Sequence, residues 1–226
     1  MKCSQLFILI GFVLLSIPLA AQETFYTEID AKWKFNPNPE NRWSYSFGSK
    51  YRSHFYDSGD FGHDTDFLQL NAAPSFEINS NHSVSLEFRY RIKKLFDNQK
   101  TDEKRIIQQY NHSHKSNRLN FKGRLRVEQR FRESFTLRNR YRFGVSFPLN
   151  RNPNKLKRWK FTADTEFLWS IGPEKNPRFD QRVSVALAKP LSDTFTFKLK
   201  PQYRYLDYTQ NKRSVWQIYA TLSISI

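Results

Sequence analysis

The sequence predicts an all-β fold: a closed antiparallel transmembrane β-barrel of ten to twelve strands, preceded by a cleaved signal peptide. Three observations predict it. From Gln22 onward apolar and polar side chains alternate with period two, as in strands with two unlike faces. Many alternating segments exceed the ~9–11 residues that a tilted membrane strand needs. Aromatic residues gather near segment ends, at Trp33, Phe35, Trp43, Phe55, Phe131, Phe135, Trp159 and Trp169, as in the interfacial girdles of outer-membrane barrels.

The first 21 residues stand apart. Lys2 gives a positive start, Leu6 to Leu19 is an almost unbroken apolar run, and Pro18, Ala20 and Ala21 lead into Gln22. This is the order of a secretory signal, with cleavage expected after Ala21. The domain organisation is therefore a signal peptide at 1–21 and one barrel at 22–226. Cys3 is the only cysteine and precedes the apolar run. The mature chain thus has neither disulfide nor thiolate chemistry, and no lipid-attachment cysteine.

Lysine and arginine number 37 against 21 acids, a formal charge of +16. Such a surplus calls for an anionic partner. Export removes nucleic acid from the expected partners and leaves outer-membrane lipid and an anionic solute. A negative mean hydropathy is compatible with a barrel, whose hydrophobicity is hidden in alternation.

Eleven segments follow in order, near 24–35, 42–55, 66–78, 83–96, 104–113, 118–131, 135–148, 158–170, 178–189, 194–207 and 214–226. The second sets Trp43, Tyr45, Phe47, Tyr51 and Phe55 against Arg42, Ser44, Ser46, Lys50, Arg52 and His54. The fourth sets Val84, Leu86, Phe88, Tyr90 and Ile92 against Ser85, Glu87, Arg89, Arg91 and Lys93. The eighth opposes Trp159, Phe161, Ala163, Phe167 and Trp169 to Lys160, Thr162, Asp164 and Glu166. The last places Trp216, Ile218, Ala220, Leu222, Ile224 and Ile226 on one side. Turn-like stretches such as "NPNPEN", "DSGDFGHD", "NSNH", "RNPNK", "GPEKNP" and "TQNKR" separate them. Bacterial barrels have even strand numbers. Either 104–113, which alternates poorly, belongs to a loop and ten strands remain, or a twelfth exists; twelve is preferred.

Arg124 to Phe147 holds seven arginines among 24 residues. If Phe131 and Phe135 face each other across a turn, the apolar face pairs Leu125 with Tyr141 and Gln129 with Leu137. The polar face then pairs Glu128 with Arg138, Arg126 with Arg140, and Arg124 with Arg142. Opposed Cβ atoms lie ~4.5–5.5 Å apart. Glu128 and Arg138 are thus expected to form an ion pair, whereas Arg126 and Arg140 repel unless an acid or anion lies between them. Glu77, Glu87, Asp164, Glu166 and Asp180 are candidates for that service. Two readings place the arginines inside: a charge lattice that holds the barrel round, and an anion-attracting pore or pocket.

Four motifs carry a family resemblance: Arg126-Val-Glu-Gln-Arg130-Phe131, Arg138-Asn-Arg140-Tyr141-Arg142, Asp164-Thr-Glu166-Phe167 and Phe179-Asp180-Gln181-Arg182. The chain resembles uncharacterised outer-membrane β-barrel proteins of Gram-negative bacteria, grouped as a domain of unknown function. The resemblance covers most of 22–226. It implies a barrel in the outer membrane, and neither a reaction nor a ligand. The "TLSISI" end departs from the terminal aromatic common in such barrels.

Catalytic constellations are sparse. His112-Ser113-His114 could offer two imidazoles, but no third metal ligand is evident. Ser113 has no acid placed to orient a neighbouring histidine. Asp164 and Glu166 are read as partners of arginine, and no P-loop or dinucleotide motif occurs. No enzyme, metal or cofactor is expected. The expected function is a small channel or binding barrel favouring anions, its lumen lined by Arg89, Arg91, Arg124, Arg126, Glu128, Arg138, Arg140, Arg142, Asp164, Glu166 and Arg182. The alternatives are a structural barrel with a plugged lumen and an exported soluble β-sandwich that binds an acidic glycan.

Overall fold

A computed structural model describes residues 22–38, 40–57, 60–93, 102–150, 158–173 and 175–225. The expected signal peptide, Cys3 and the "RNPNK" turn lie outside them. The described chain is all-β. Its strands are β1 (Gln22–Phe35), β2 (Trp43–Asp57), β3 (Asp60–Asn79), β4 (His82–Lys93), β5 (Glu103–Ser116), β6 (Leu119–Phe131), β7 (Thr136–Pro148), β8 (Lys160–Gly172), β9 (Lys175–Pro190), β10 (Phe195–Leu206) and β11 (Arg213–Ser225). Consecutive strands pair antiparallel, and β1 closes the barrel by pairing parallel to β11.

All eleven predicted segments are strands, so the expected ten or twelve is corrected to eleven. The weak segment is a real strand, β5, whose alternation is disguised. Ile107 points inward and is fully buried, while Lys104 and Gln108 point outward. An odd count also corrects the expectation of a wholly antiparallel barrel. With every neighbour reversed, the first and eleventh strands run the same way, and their seam is necessarily parallel.

Apolar side chains dominate the outer face of the barrel and charged ones its inner face. Leu125, Phe47 and Phe88 face outward and are about half exposed (51%, 50% and 49%), as are Trp43, Tyr45, Tyr141 and Phe143. Glu103, Glu128 and Glu166 face inward and are buried. Outward aromatics form a belt at each end. Phe55, Phe131, Phe135 and Trp169 lie towards the first rim, where β1 begins. Trp33, Phe35, Trp43 and Trp159 lie towards the second rim, where β1 ends. Phe131 and Phe135 pack with ring centroids 5.4 Å apart, and Trp33 stacks on Phe35 at 5.6 Å.

β3 and β4, like β5 and β6, are joined by two residues. Asn117, at φ 51°, takes the left-handed conformation in the β5–β6 turn, a region asparagine tolerates better than most residues. In β7, Gly144 faces inward where a Cβ would stand 3.0 Å from the Asp164 Cβ and 3.1 Å from the Ala163 carbonyl oxygen. Gly144→Ala is therefore expected to lower stability by about 1–3 kcal/mol through overpacking. A urea titration in detergent micelles checks this through the shift of the unfolding midpoint.

The interior is graded along its axis. Towards the first rim, Phe67, Ile107, Leu168, Leu206 and Val215 point inward and are buried. Towards the second rim β2 to β4 carry small inward residues, Ser44 and Ser46 on β2, Ala73 and Ser75 on β3, Ser83 and Ser85 on β4, beside Lys34 and Glu77. Between them lies a belt of arginine, lysine and carboxylate.

Candidate functional site

The charged belt begins with the register of β6 and β7. Arg124 faces Arg142, Arg126 faces Arg140, and Glu128 faces Arg138, as predicted. The next pairings continue the first row across the barrel: Arg142 opposite Glu166, Glu166 opposite Arg182, Arg182 opposite Arg204. Alternation forces every member of this row to the same face of the sheet, so charge accumulates at one level.

Glu166 is the hub. Its carboxylate accepts from Arg140 Nη2 at 2.6 Å, Arg142 Nε at 3.0 Å, Arg124 Nη2 at 3.1 Å and Arg182 Nη1 at 3.5 Å. Glu128 is a second hub, bridged to Arg140 Nη1 at 2.6 Å and to Arg126 and Arg105 at 3.5 Å each. Glu103 is a third, held by Arg105, by Arg130 at 3.0 Å and by Arg132 at 2.5 Å. Arg140 links the first two hubs and Arg105 the last two, so one lattice of ion pairs runs from β5 to β9. Asp164 supports it from the side, 3.6 Å from Arg142.

The expected repulsion between Arg126 and Arg140 is resolved by Glu128, which binds both. The expected Glu128–Arg138 ion pair is corrected. Those residues are opposed, but Glu128 reaches the diagonal Arg140, and Arg138 Nε donates to Ser170 Oγ at 2.8 Å. Diagonal neighbours at ~7–8 Å lie within reach of arms as long as those of arginine and glutamate.

The remaining predicted lining residues also point inward. Arg89 donates to Glu87 at 2.9 and 2.5 Å. Arg91 donates to the Gln69 amide oxygen at 2.7 Å and lies 3.9 Å over the Phe67 ring. Asp180 accepts from Arg178 at 2.8 Å. Glu77 serves only an exposed contact, 4.0 Å from Lys34.

Several residues escaped prediction. Glu28 anchors Arg52 at 2.6 Å and Lys50 at 3.5 Å, and Arg52 sits over the rings of Phe67, Tyr219 and Tyr26. On β10, Lys198, Lys200 and Arg204 also line the interior. Their signal was present: in "FTFKLKPQYRYL" they alternate with Phe197, Leu199 and Tyr203. None of the three has a carboxylate within salt-bridge distance among the described residues. Lys200 instead lies 4.5 Å over the Tyr219 ring, and Arg204 donates to Gln217 at 3.2 Å. The Nε atoms of Arg182 and Arg204 are buried without a hydrogen-bond partner.

The belt encloses a polar cavity of about 600 Å³. Sixteen cationic side chains line it against three carboxylates, Glu28, Asp30 and Glu87. Arg89, Arg91, Arg124, Arg126, Arg138, Arg140, Arg142 and Arg182 are all among them, while Glu128, Asp164 and Glu166 sit behind as their counter-charges. The guanidinium groups present forked donors to this space, the geometry that matches carboxylate and phosphate oxygens.

Metal and nucleophile chemistry find no such support. His112 meets His82 rather than His114, with ring centroids 4.6 Å apart, and His82 Nδ1 lies 2.5 Å from the Tyr110 hydroxyl. Among the described residues no three His, Cys, Asp or Glu side chains are grouped to hold a metal ion. Ser113 and its histidine neighbours occupy alternate positions of β5 and so point to opposite faces.

Residues 23–215 match the family model described as a protein of unknown function, DUF2490. The chain belongs to the DUF2490 family. No curated protein and no solved structure matches it. Membership in DUF2490 brings no reaction or ligand, so what distinguishes this DUF2490 barrel is the chemistry of its interior.

Proposed function

We propose that this protein is an outer-membrane barrel that binds a small anionic solute inside its lumen. The observation that carries the reading is the cavity of about 600 Å³ in which, among the described residues, sixteen cations face three carboxylates, with Glu128, Asp164 and Glu166 behind them. The outward apolar face, belted by aromatics at both rims, supports the membrane setting, because a closed barrel leaves no backbone group unpaired in lipid. The export-like order of the first 21 residues supports it further.

Binding is favoured over conduction. Phe67 and Tyr219 are among the residues lining the cavity, and Ile107, Leu168, Leu206 and Val215 are buried inside the barrel without lining it. A narrow barrel filled at one end has side chains where a porin has water.

The test begins with cell fractionation and gel migration before and after boiling. The protein is expected in the detergent-requiring membrane fraction, with a folded band that shifts on heating. Planar bilayers containing the refolded protein are expected to carry no steady current. Recovery from the soluble periplasm would remove the membrane reading. Sustained cation-selective conductance would remove the anion-binding one.

A further inference from the structure

The lumen has a second chamber. A cavity of about 370 Å³ lies towards the second rim and shares Lys32, Asn71, Glu87, Arg124 and Arg126 with the basic one, so the two adjoin. Its lining is of another character. Ser44, Ser75 and Ser85 form a single row across β2, β3 and β4, with Ser46 and Ser83 beside them and Asn111 bonded to Ser83 at 3.3 Å. Its carboxylates already have partners: Glu77 lies by Lys34, and Glu87 by Arg89. Lys32, Lys34, Arg124 and Arg126 stand around it, and between these cations Ser44, Ser75, Ser83 and Ser85 offer neutral hydroxyls that can each donate or accept a hydrogen bond.

The basic chamber complements it. Arg124, Arg140, Arg142 and Arg182 share Glu166. Lys198, Lys200 and Arg204 have no such acid, and the buried Nε atoms of Arg182 and Arg204 lack acceptors. Arg204 and Arg182 stand directly opposite each other in the register. Arg182, Lys198, Lys200 and Arg204 all line the chamber, and a group carrying several anionic oxygens would balance them. A phosphate monoester, at about −1.5 to −2 near neutral pH, matches that surplus better than a single carboxylate.

We infer that the bound solute has two parts, a neutral hydroxylated body in the serine-lined chamber and a phosphate group in the basic one, which is the chemistry of a sugar phosphate. The inference rests on the anion-binding reading of the lumen and narrows it to a class of ligand. A bare anion would leave the serine row to water. An apolar or aromatic body would strand those hydroxyls without partners.

Calorimetric titration of the full folded protein in detergent tests this with inorganic phosphate, glucose, glucuronate and glucose 6-phosphate. Glucose 6-phosphate is expected to bind about tenfold more tightly than phosphate or glucuronate, with glucose silent. Lys198→Gln/Lys200→Gln is expected to weaken glucose 6-phosphate and phosphate together. Ser75→Ala/Ser85→Ala is expected to weaken only glucose 6-phosphate, towards the phosphate value. The heat-shifted gel band shows that each variant is folded. Equal affinity for phosphate and glucose 6-phosphate would overturn the inference and leave the anion reading standing. Tighter binding of glucuronate would overturn the choice of phosphate. No binding of any anion would remove both readings.

Discussion

Glu166→Gln is expected to lower the unfolding free energy of the barrel by about 3–5 kcal/mol, the usual loss when one partner of a buried ion pair is removed. The substitution keeps the shape of the side chain and deletes its charge. Four guanidinium groups then lose a shared counter-ion. Arg142 keeps Asp164 at 3.6 Å and is 30% exposed, and Arg124 is 23% exposed, so water screens those two. The loss therefore falls mainly on Arg140 and Arg182, which are more deeply set. Urea unfolding in detergent, followed by tryptophan fluorescence, measures it. Glu77→Gln is the control: its pair with Lys34 is wide and exposed, and no change is expected. An unfolding curve for Glu166→Gln that overlays the parent would refute the lattice as a source of stability.

Leu125→Arg is the second large effect, and it separates the two settings the sequence allows. Leu125 points outward midway along β6, with Tyr110 and Tyr141 beside it in register. In a bilayer a guanidinium at mid-depth on the lipid face costs about 2–4 kcal/mol, falling to about 0–1 near the interface. In water the same exposed substitution stays within about 0.5 kcal/mol. Leu119, by the β5–β6 turn, supplies the interfacial comparison. Folding into phosphatidylcholine vesicles is expected to rank parent, Leu119→Arg and Leu125→Arg in descending stability. Equal stability of the two variants would contradict a lipid-facing surface.

Much of this architecture was legible because alternation is local. Two residues, Phe131 and Phe135, were enough to set the register of β6 against β7, and every opposed pair followed. What stayed hidden depends on closure. Glu128 takes the diagonal Arg140 rather than the opposed Arg138, because Arg140 also reaches Glu166 on β8, a partner that the pairing of β6 with β7 does not contain. Phe67, Ile107 and Leu168 sit at inward positions of otherwise polar faces and are buried inside the barrel, a filling that alternation alone does not announce. Lys198, Lys200 and Arg204 were overlooked because they are spread through one strand, while the arginines of β6 and β7 are crowded. The parity of the strand count was misjudged through a rule drawn from other barrels; the eleven segments themselves were all present.

The parallel seam between β1 and β11 has a topographical consequence. Gln22 lies at one mouth of the cylinder and Ser225 near the other, so labels fused beyond each would emerge into different compartments wherever the cylinder crosses a boundary. No hairpin can zip this join. Its two edges are the first and the last described strands, and they are fastened by Thr221 to Glu28 at 3.1 Å, Gln217 to Tyr26 at 3.3 Å and the stacked rings of Tyr26 and Tyr219.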